Sequence, residues 1–118
     1  MTDRGVDRRT VTIAGHTGDV AVARAGLAST DPAVRTAALG ALERLGQLTD
    51  DDLRDALTDT ALPVRRRAAE LAARHVDVDL VAALTDPDSR VVEVAAWACG
   101  EHESARDAFV DARSRQAR

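Results

Sequence analysis

A chain of 118 residues with a formal net charge of −4 has the length of one domain, burying roughly 65% of its unfolded surface. Apolar residues make up 45% of it and aromatic residues only 2%. Alanine and valine dominate that fraction, which points to an all-α fold of closely approaching helices. The acidic balance argues against general nucleic-acid binding, and no apolar run reaches membrane length.

Three stretches repeat one pattern. Leu27, Leu57 and Leu84 each stand seven residues before a valine, giving Val34-Arg35, Val64-Arg65 and Val91-Val92. The leucines are 30 and then 27 residues apart, a period that marks stacked helical hairpins. In chain order, residues 5–15 read as the second half of a hairpin, with Val11 and Ala14 matching Leu42 and Leu45, and Gly15 matching Gly46. The first full hairpin, about 17–46, pairs a helix over 20–28 with one over 32–45 that opens on Asp31-Pro32, an N-cap followed by an N1 proline. The second, about 47–75, pairs 51–58 with 62–75. Its first helix starts on Thr49-Asp50-Asp51-Asp52, carboxylates that suit a helix N-terminus better than a metal. The third, about 76–102, pairs 78–84 with 89–101. A terminal helix over 103–116 closes the domain with Ala105, Ala108, Phe109 and Ala112.

Counting from the three valines, offset four brings Ala38, Ala68 and Ala95. Offset seven brings Ala41, Leu71 and Ala98, and offset eight Leu42, Ala72 and Cys99. These positions form one helical stripe. Leu42, Leu57, Leu71 and Leu84 are expected to be fully buried. Trp97, at offset six, lies roughly 240° around its helix from Val91 and so points away from the stripe.

The stretches LASTDPAVRTAALGALERLG, LTDTALPVRRRAAELAARH and LTDPDSRVVEVAAWACGEH resemble HEAT repeats of the short bacterial type, similar to the phycobilin-lyase HEAT-like group. The resemblance implies a right-handed α-solenoid of about three HEAT-like hairpins with half-repeats at each end, the second helix of each hairpin lining a concave face. It also implies a ladder between acidic turn residues and the arginine after each valine, drawing on Asp31 with Arg35 and Asp59 with Arg65. Val92 interrupts that ladder in the third hairpin.

On that face Trp97, with Glu93, Glu101, Arg66 and Glu70, is the candidate partner-binding set, because a half-exposed tryptophan ringed by charge is the usual make-up of a hot spot. The function expected is a non-catalytic adaptor or scaffold for a protein partner. The alternative is an accessory or lyase-type subunit acting on a tetrapyrrole or other cofactor-protein. A HEAT-like nucleic-acid binder is disfavoured, since Arg65-Arg66-Arg67 supplies only three phosphate contacts.

No cofactor or metal is expected. His75 and His102 share offset eleven, but two imidazoles make a poor metal site, and helix C-terminal placement accounts for them. His102-Glu103 invites comparison with the di-iron deoxyhypusine hydroxylases, which use several such pairs where this chain has one. Cys99 lies on the core stripe without a base, and as the single cysteine it fits a reducing cytosol. MTDRGVDRRT has no apolar signal core, so a cytoplasmic chain is expected. All 16 basic residues are arginine, the codon usage of a GC-rich, bacterial genome. Phe109 on an uncovered last helix suggests a monomer, a weak edge-mediated dimer, or a piece of a longer array.

Overall fold

The structure, a computed structural model, describes residues 6–116. The expected start of the first half-hairpin at residue 5 therefore lies outside the described residues. Six α-helices and two 3-10 turns follow one another without a strand among the described residues: α1 Arg8–Thr17, α2 Val20–Gly26, α3 Pro32–Arg44, α4 Asp50–Ala56, α5 Leu62–Leu71, a 3-10 turn Ala72–Arg74, another at Ala82–Thr85, and α6 Ser89–Gln116. None of these helices is long and apolar enough to cross a membrane.

Local chemistry sets most of these boundaries. Asp7, Asp19 and Asp31 each accept a backbone N–H from the first turn of α1, α2 and α3, satisfying donors that a helix start leaves open. Thr49 and Asp52 cap α4 reciprocally as a capping box. Gly18 and Gly46 end α1 and α3 at φ 86° and 68°, left-handed values that cost any side chain bearing a Cβ. The pair gives the true alignment of α1 with α3. Gly18, not Gly15, matches Gly46, so Val11 aligns with Leu39 and Ala14 with Leu42. Gly15 instead faces α3, where an added Cβ would sit 3.0 Å from the Ala41 backbone.

The helices pack in sequence order. α1 lies on α3, α3 on α5, and α5 on α6, with α2 against α1 and α3, and α4 against α5. The interior between them is built on the repeat stripe. Val34, Val64 and Val91 are buried, and so are Ala38, Ala68 and Ala95 four residues on. Leu39, Leu42 and Leu53 are the largest fully enclosed side chains, each contributing on the order of 1.5–3 kcal/mol by transfer from water.

Three expectations need correction. Residues 78–84 do not form an α-helix. The third unit has only the 3-10 turn Ala82–Thr85 there. Valine and aspartate alternate from Val76 to Asp79, both weak helix formers, and Asp79 turns its carboxylate to the Val81 N–H at 2.9 Å, the local competition that favours a turn over a helix. Leu84 is accordingly 37% exposed, and Leu57 and Leu71 are only partly buried; Leu42 is fully enclosed. The third correction is the end of the chain. The expected helices 89–101 and 103–116 are one helix of 28 residues, about 42 Å long. Between them stands Ala98-Cys99-Gly100-Glu101-His102-Glu103, without proline, and Gly100 keeps a helical φ, so nothing breaks the hydrogen-bond ladder. From residue 103 to 115 every side chain is exposed.

An arginine–aspartate ladder ties consecutive units together. Arg35 forks onto Asp59 through Nε and Nη2, both at 2.9 Å, while its Nη1 donates to the Ser29 carbonyl of its own turn. Arg65 repeats the arrangement with Asp86 at 2.9 and 3.4 Å and with the Asp59 carbonyl at 3.0 Å. The rungs therefore run from the arginine of one unit to the turn aspartate of the next, not between Asp31 and Arg35 or Asp59 and Arg65. Asp59 and Asp86 also accept the Ala61 and Asp88 N–H groups. Burial pushes both carboxyls up. The arginine hydrogen bonds, the backbone N–H groups and the arginine charge outweigh it and hold them below the usual carboxylate range. Arg24 adds a similar bidentate link from α2 to Asp52 of α4, at 3.0 Å twice. Val92 ends the series. Arg90, beside it, bonds Asp88 instead, and that side-chain bond, together with the Arg90 N–H, lowers the Asp88 carboxyl to about 2.

Candidate functional site: a groove along the α1, α3, α5 and α6 face

Two adjoining cavities form one groove. The first, about 460 Å³, is bounded by Arg8, Thr12 and His16 of α1, by Ala33, Thr36, Ala37, Gly40, Ala41 and Arg44 of α3, and by Pro63 and Arg67 of α5. The second, about 720 Å³, shares Gly40, Arg44 and Arg67 with it and continues through Glu43, Glu70, Leu71, Ala73 and Arg74 to Trp97 and Glu101 of α6. Positions at offsets three, six and ten from each valine recur along it: Ala37 and Arg67; Gly40, Glu70 and Trp97; Arg44, Arg74 and Glu101. Spacings of three, four and seven residues keep one face of a helix together.

Of the five partner-binding candidates, the structure brings Trp97, Glu70 and Glu101 into one cavity. Trp97 is 52% exposed. Arg66 and Glu93 are exposed but do not line it. Glu70 is held by Arg67, three residues before it, and not by Arg66. Arg67 lies flat over α3, because Gly40 leaves space that a Cβ would narrow to 3.2 Å from Nη2. Arg8, Arg44 and Arg74 were not singled out by sequence, and Arg67 only within the basic run Arg65-Arg66-Arg67. Their signal was the stripe at offsets three and ten, which carries Arg67, Arg44 and Arg74; Arg8, which aligns with Thr36, lies off it.

The groove is unevenly charged. Around the first cavity stand Arg8, His16, Arg44 and Arg67 without any carboxylate. Around the second, Glu43, Glu70 and Glu101 stand with Trp97 and are balanced by Arg44, Arg67 and Arg74. Among the described residues, Arg8 and Arg44 have no ion pair or hydrogen bond through their guanidinium groups. By contrast, Arg24, Arg35, Arg54, Arg65 and Arg90 each bond an aspartate.

The two histidines at offset eleven do different work from that expected. His75 follows the 3-10 turn and sits between two carboxylates, its Nδ1 3.2 Å from Asp50 and its Nε2 3.1 Å from both oxygens of Glu43. His102 is not at a helix end. It is 5% exposed in the middle of α6, and its Nε2 donates to the Ala72 carbonyl at 2.6 Å. Each therefore reaches back to the unit before it. Among the described residues no group of three or more histidine, cysteine, aspartate or glutamate side chains is placed to hold a metal. Cys99 is half-buried and unbonded.

No family model matches the chain, and no curated protein matches it.

Proposed function

We propose that the chain is a HEAT-type array, a right-handed α-solenoid of about three short repeats, that holds a protein partner in this groove and performs no reaction on it. The observation that carries the reading is Trp97: a large apolar side chain with no place in the core, half in solvent, at the head of a groove built by α1, α3, α5 and α6. Aromatic and arginine side chains in such a setting supply most of the free energy of protein association. Repetition supports the architecture, since each unit covers its neighbour and is tied to it by the same arginine fork. The test is capture from a cell extract of the source organism by the wild-type chain and by Trp97→Ala, which removes no core contact. A partner retained by the first and lost by the second supports the reading. Stoichiometric binding of a tetrapyrrole in the groove instead would overturn it.

A further inference from the structure

Resting on the partner-binding reading, we propose that the groove takes an acidic polypeptide segment in one direction, its carboxylates against Arg8, Arg44 and Arg67 and an apolar side chain against Trp97. The charge distribution carries this. In a chain of net charge −4, five arginines outside the groove each bond an aspartate, while the half of the groove between α1, α3 and α5 collects three arginines and His16 with no acid on its walls. Arg67 is shared with Glu70, while Arg8 and Arg44 are unpaired among the described residues. A guanidinium presents a planar fork of donors that matches a carboxylate two bonds at a time.

Besides the arginines and His16, the hydroxyl donors in that half are already committed. Thr12 and Thr36 give their hydroxyl protons to the Arg8 and Pro32 carbonyls at 2.8 and 2.9 Å, so the arginines provide the contacts that an incoming anion meets. Beneath them Ala33, Ala37, Gly40 and Ala41 present almost no side chain, which lets a second backbone approach closely.

The other half settles what kind of anion fits. A nucleic acid would bring phosphates along the whole groove, but around Trp97 the cations Arg44, Arg67 and Arg74 are balanced by Glu43, Glu70 and Glu101, leaving no net positive charge where the ring would have to stack on a base. A polypeptide can be acidic at one end and apolar at the other. That pattern satisfies both halves.

Trp97 is the single tryptophan, so its emission reports occupancy of its own end of the groove. The probes are synthetic peptides with a run of glutamates and one leucine at varied separation, the same peptides with lysine for glutamate, and an oligothymidylate. Binding is read by anisotropy of a labelled probe and by Trp97 emission at two salt concentrations. The glutamate peptides are expected to bind, with affinity falling as salt rises, and to shift Trp97 emission; the lysine peptides and the oligothymidylate are not. Arg8→Glu and Arg44→Glu should each weaken binding by about tenfold, and both are exposed and unbonded, so an unchanged urea midpoint verifies the fold. Trp97→Ala should weaken binding while leaving its salt dependence in place.

Acidic peptides that bind no better than lysine peptides, or that are indifferent to Arg8→Glu and Arg44→Glu, overturn the acidic assignment. Tighter binding of the oligothymidylate overturns the polypeptide assignment. A lysine peptide that shifts Trp97 emission sinks the charge assignment but leaves the groove as a protein-binding site. The broader reading falls separately, if the captured partner is retained by Trp97→Ala.

Discussion

α3 and α6 begin from the same residues and end as different objects. Both carry a buried valine, a buried alanine four residues on and a further buried alanine at offset seven. α3 stops after 13 residues at Gly46, is flanked by α1 and α5, and sends Arg35 to the next turn. α6 runs for 28 residues, packs α5 with its first half only, and has Val92 where the arginine would be. A shared core stripe therefore specifies how a helix docks but not where it stops. The stop comes from one residue with access to left-handed φ, and the link to the next unit from one arginine.

The largest effect expected from this contrast is in the core. Leu42→Ala, in the last turn of α3 and fully enclosed, should cost about 2–5 kcal/mol from lost transfer energy and the cavity left behind. Leu84→Ala, at the exposed turn before α6, should move the urea midpoint far less. Equal shifts would show that the third unit is packed as tightly as the first.

Next in size is the ladder. Arg35→Met removes a bidentate, half-buried bond and leaves Asp59 without its partner, a loss of about 1.5–3 kcal/mol. Val92→Arg, by contrast, adds an arginine at a place where no later turn aspartate follows among the described residues, and no matching gain is expected. Thermal melts of the two variants decide it, and a Val92→Arg chain stabilised as much as Arg35→Met is destabilised would contradict the ladder's direction.

The same bonds predict an acid dependence. Asp52, Asp59 and Asp86 are held below the ordinary carboxylate range in the fold, burial opposing and the arginine and backbone hydrogen bonds prevailing. Their contribution is complete above the unfolded value of about 3.9 and is lost as pH falls through the lower folded values. Chemical denaturation midpoints should drop on acidification below about pH 4. Asp59→Asn combined with Asp86→Asn should flatten that drop, and a double variant with the wild-type slope would place the titrating groups elsewhere.

Two glycines make the smallest and sharpest pair, because opposite signs are expected. Gly46→Ala forces a Cβ into φ 68°, at a cost of roughly 1–2 kcal/mol. Gly100→Ala, helical and with nothing within 4 Å of the new carbon, should stabilise by about 0.5–1 kcal/mol. Calorimetry on both variants reads the difference directly.

The contrast also shows what was legible in the sequence. The stripe at offsets zero, four, seven and eight located part of the core because burial follows period 3.6, but it missed Leu39 and Ala69 at offset five; Asp31-Pro32 and Thr49 marked starts because capping chemistry is local. The turn between α5 and α6 was not legible from the leucine pattern alone. The 27-residue spacing recorded a shorter unit, but not that the valine–aspartate run would leave no α-helix in it. The break expected near residue 102 came from the repeat period, and the chain holds no residue there that enforces it. At the groove, Trp97, Glu70 and Glu101 were found through their departure from the stripe. Arg44 and Arg74 were overlooked, and Arg67 was read only as part of a basic run, because an exposed arginine looks alike in sequence whether it is paired or free, and only packing tells which aspartates are already engaged elsewhere.

The fork that joins Arg35 to Asp59 and Arg65 to Asp86 also bears on heredity. The middle unit, residues 47–75, offers its acceptor Asp59 backwards and its donor Arg65 forwards, so the bond is the same at both junctions. An in-frame tandem copy of residues 47–75 would set its own aspartate against Arg65 of the original and its own arginine against Asp86, restoring every rung. A change of a few residues within one turn would misalign both rungs that meet there. Insertion of a whole copy of residues 47–75 is thus neutral to the ladder, whereas a copy of residues 76–102 would place Val92 at its junction and gain no rung.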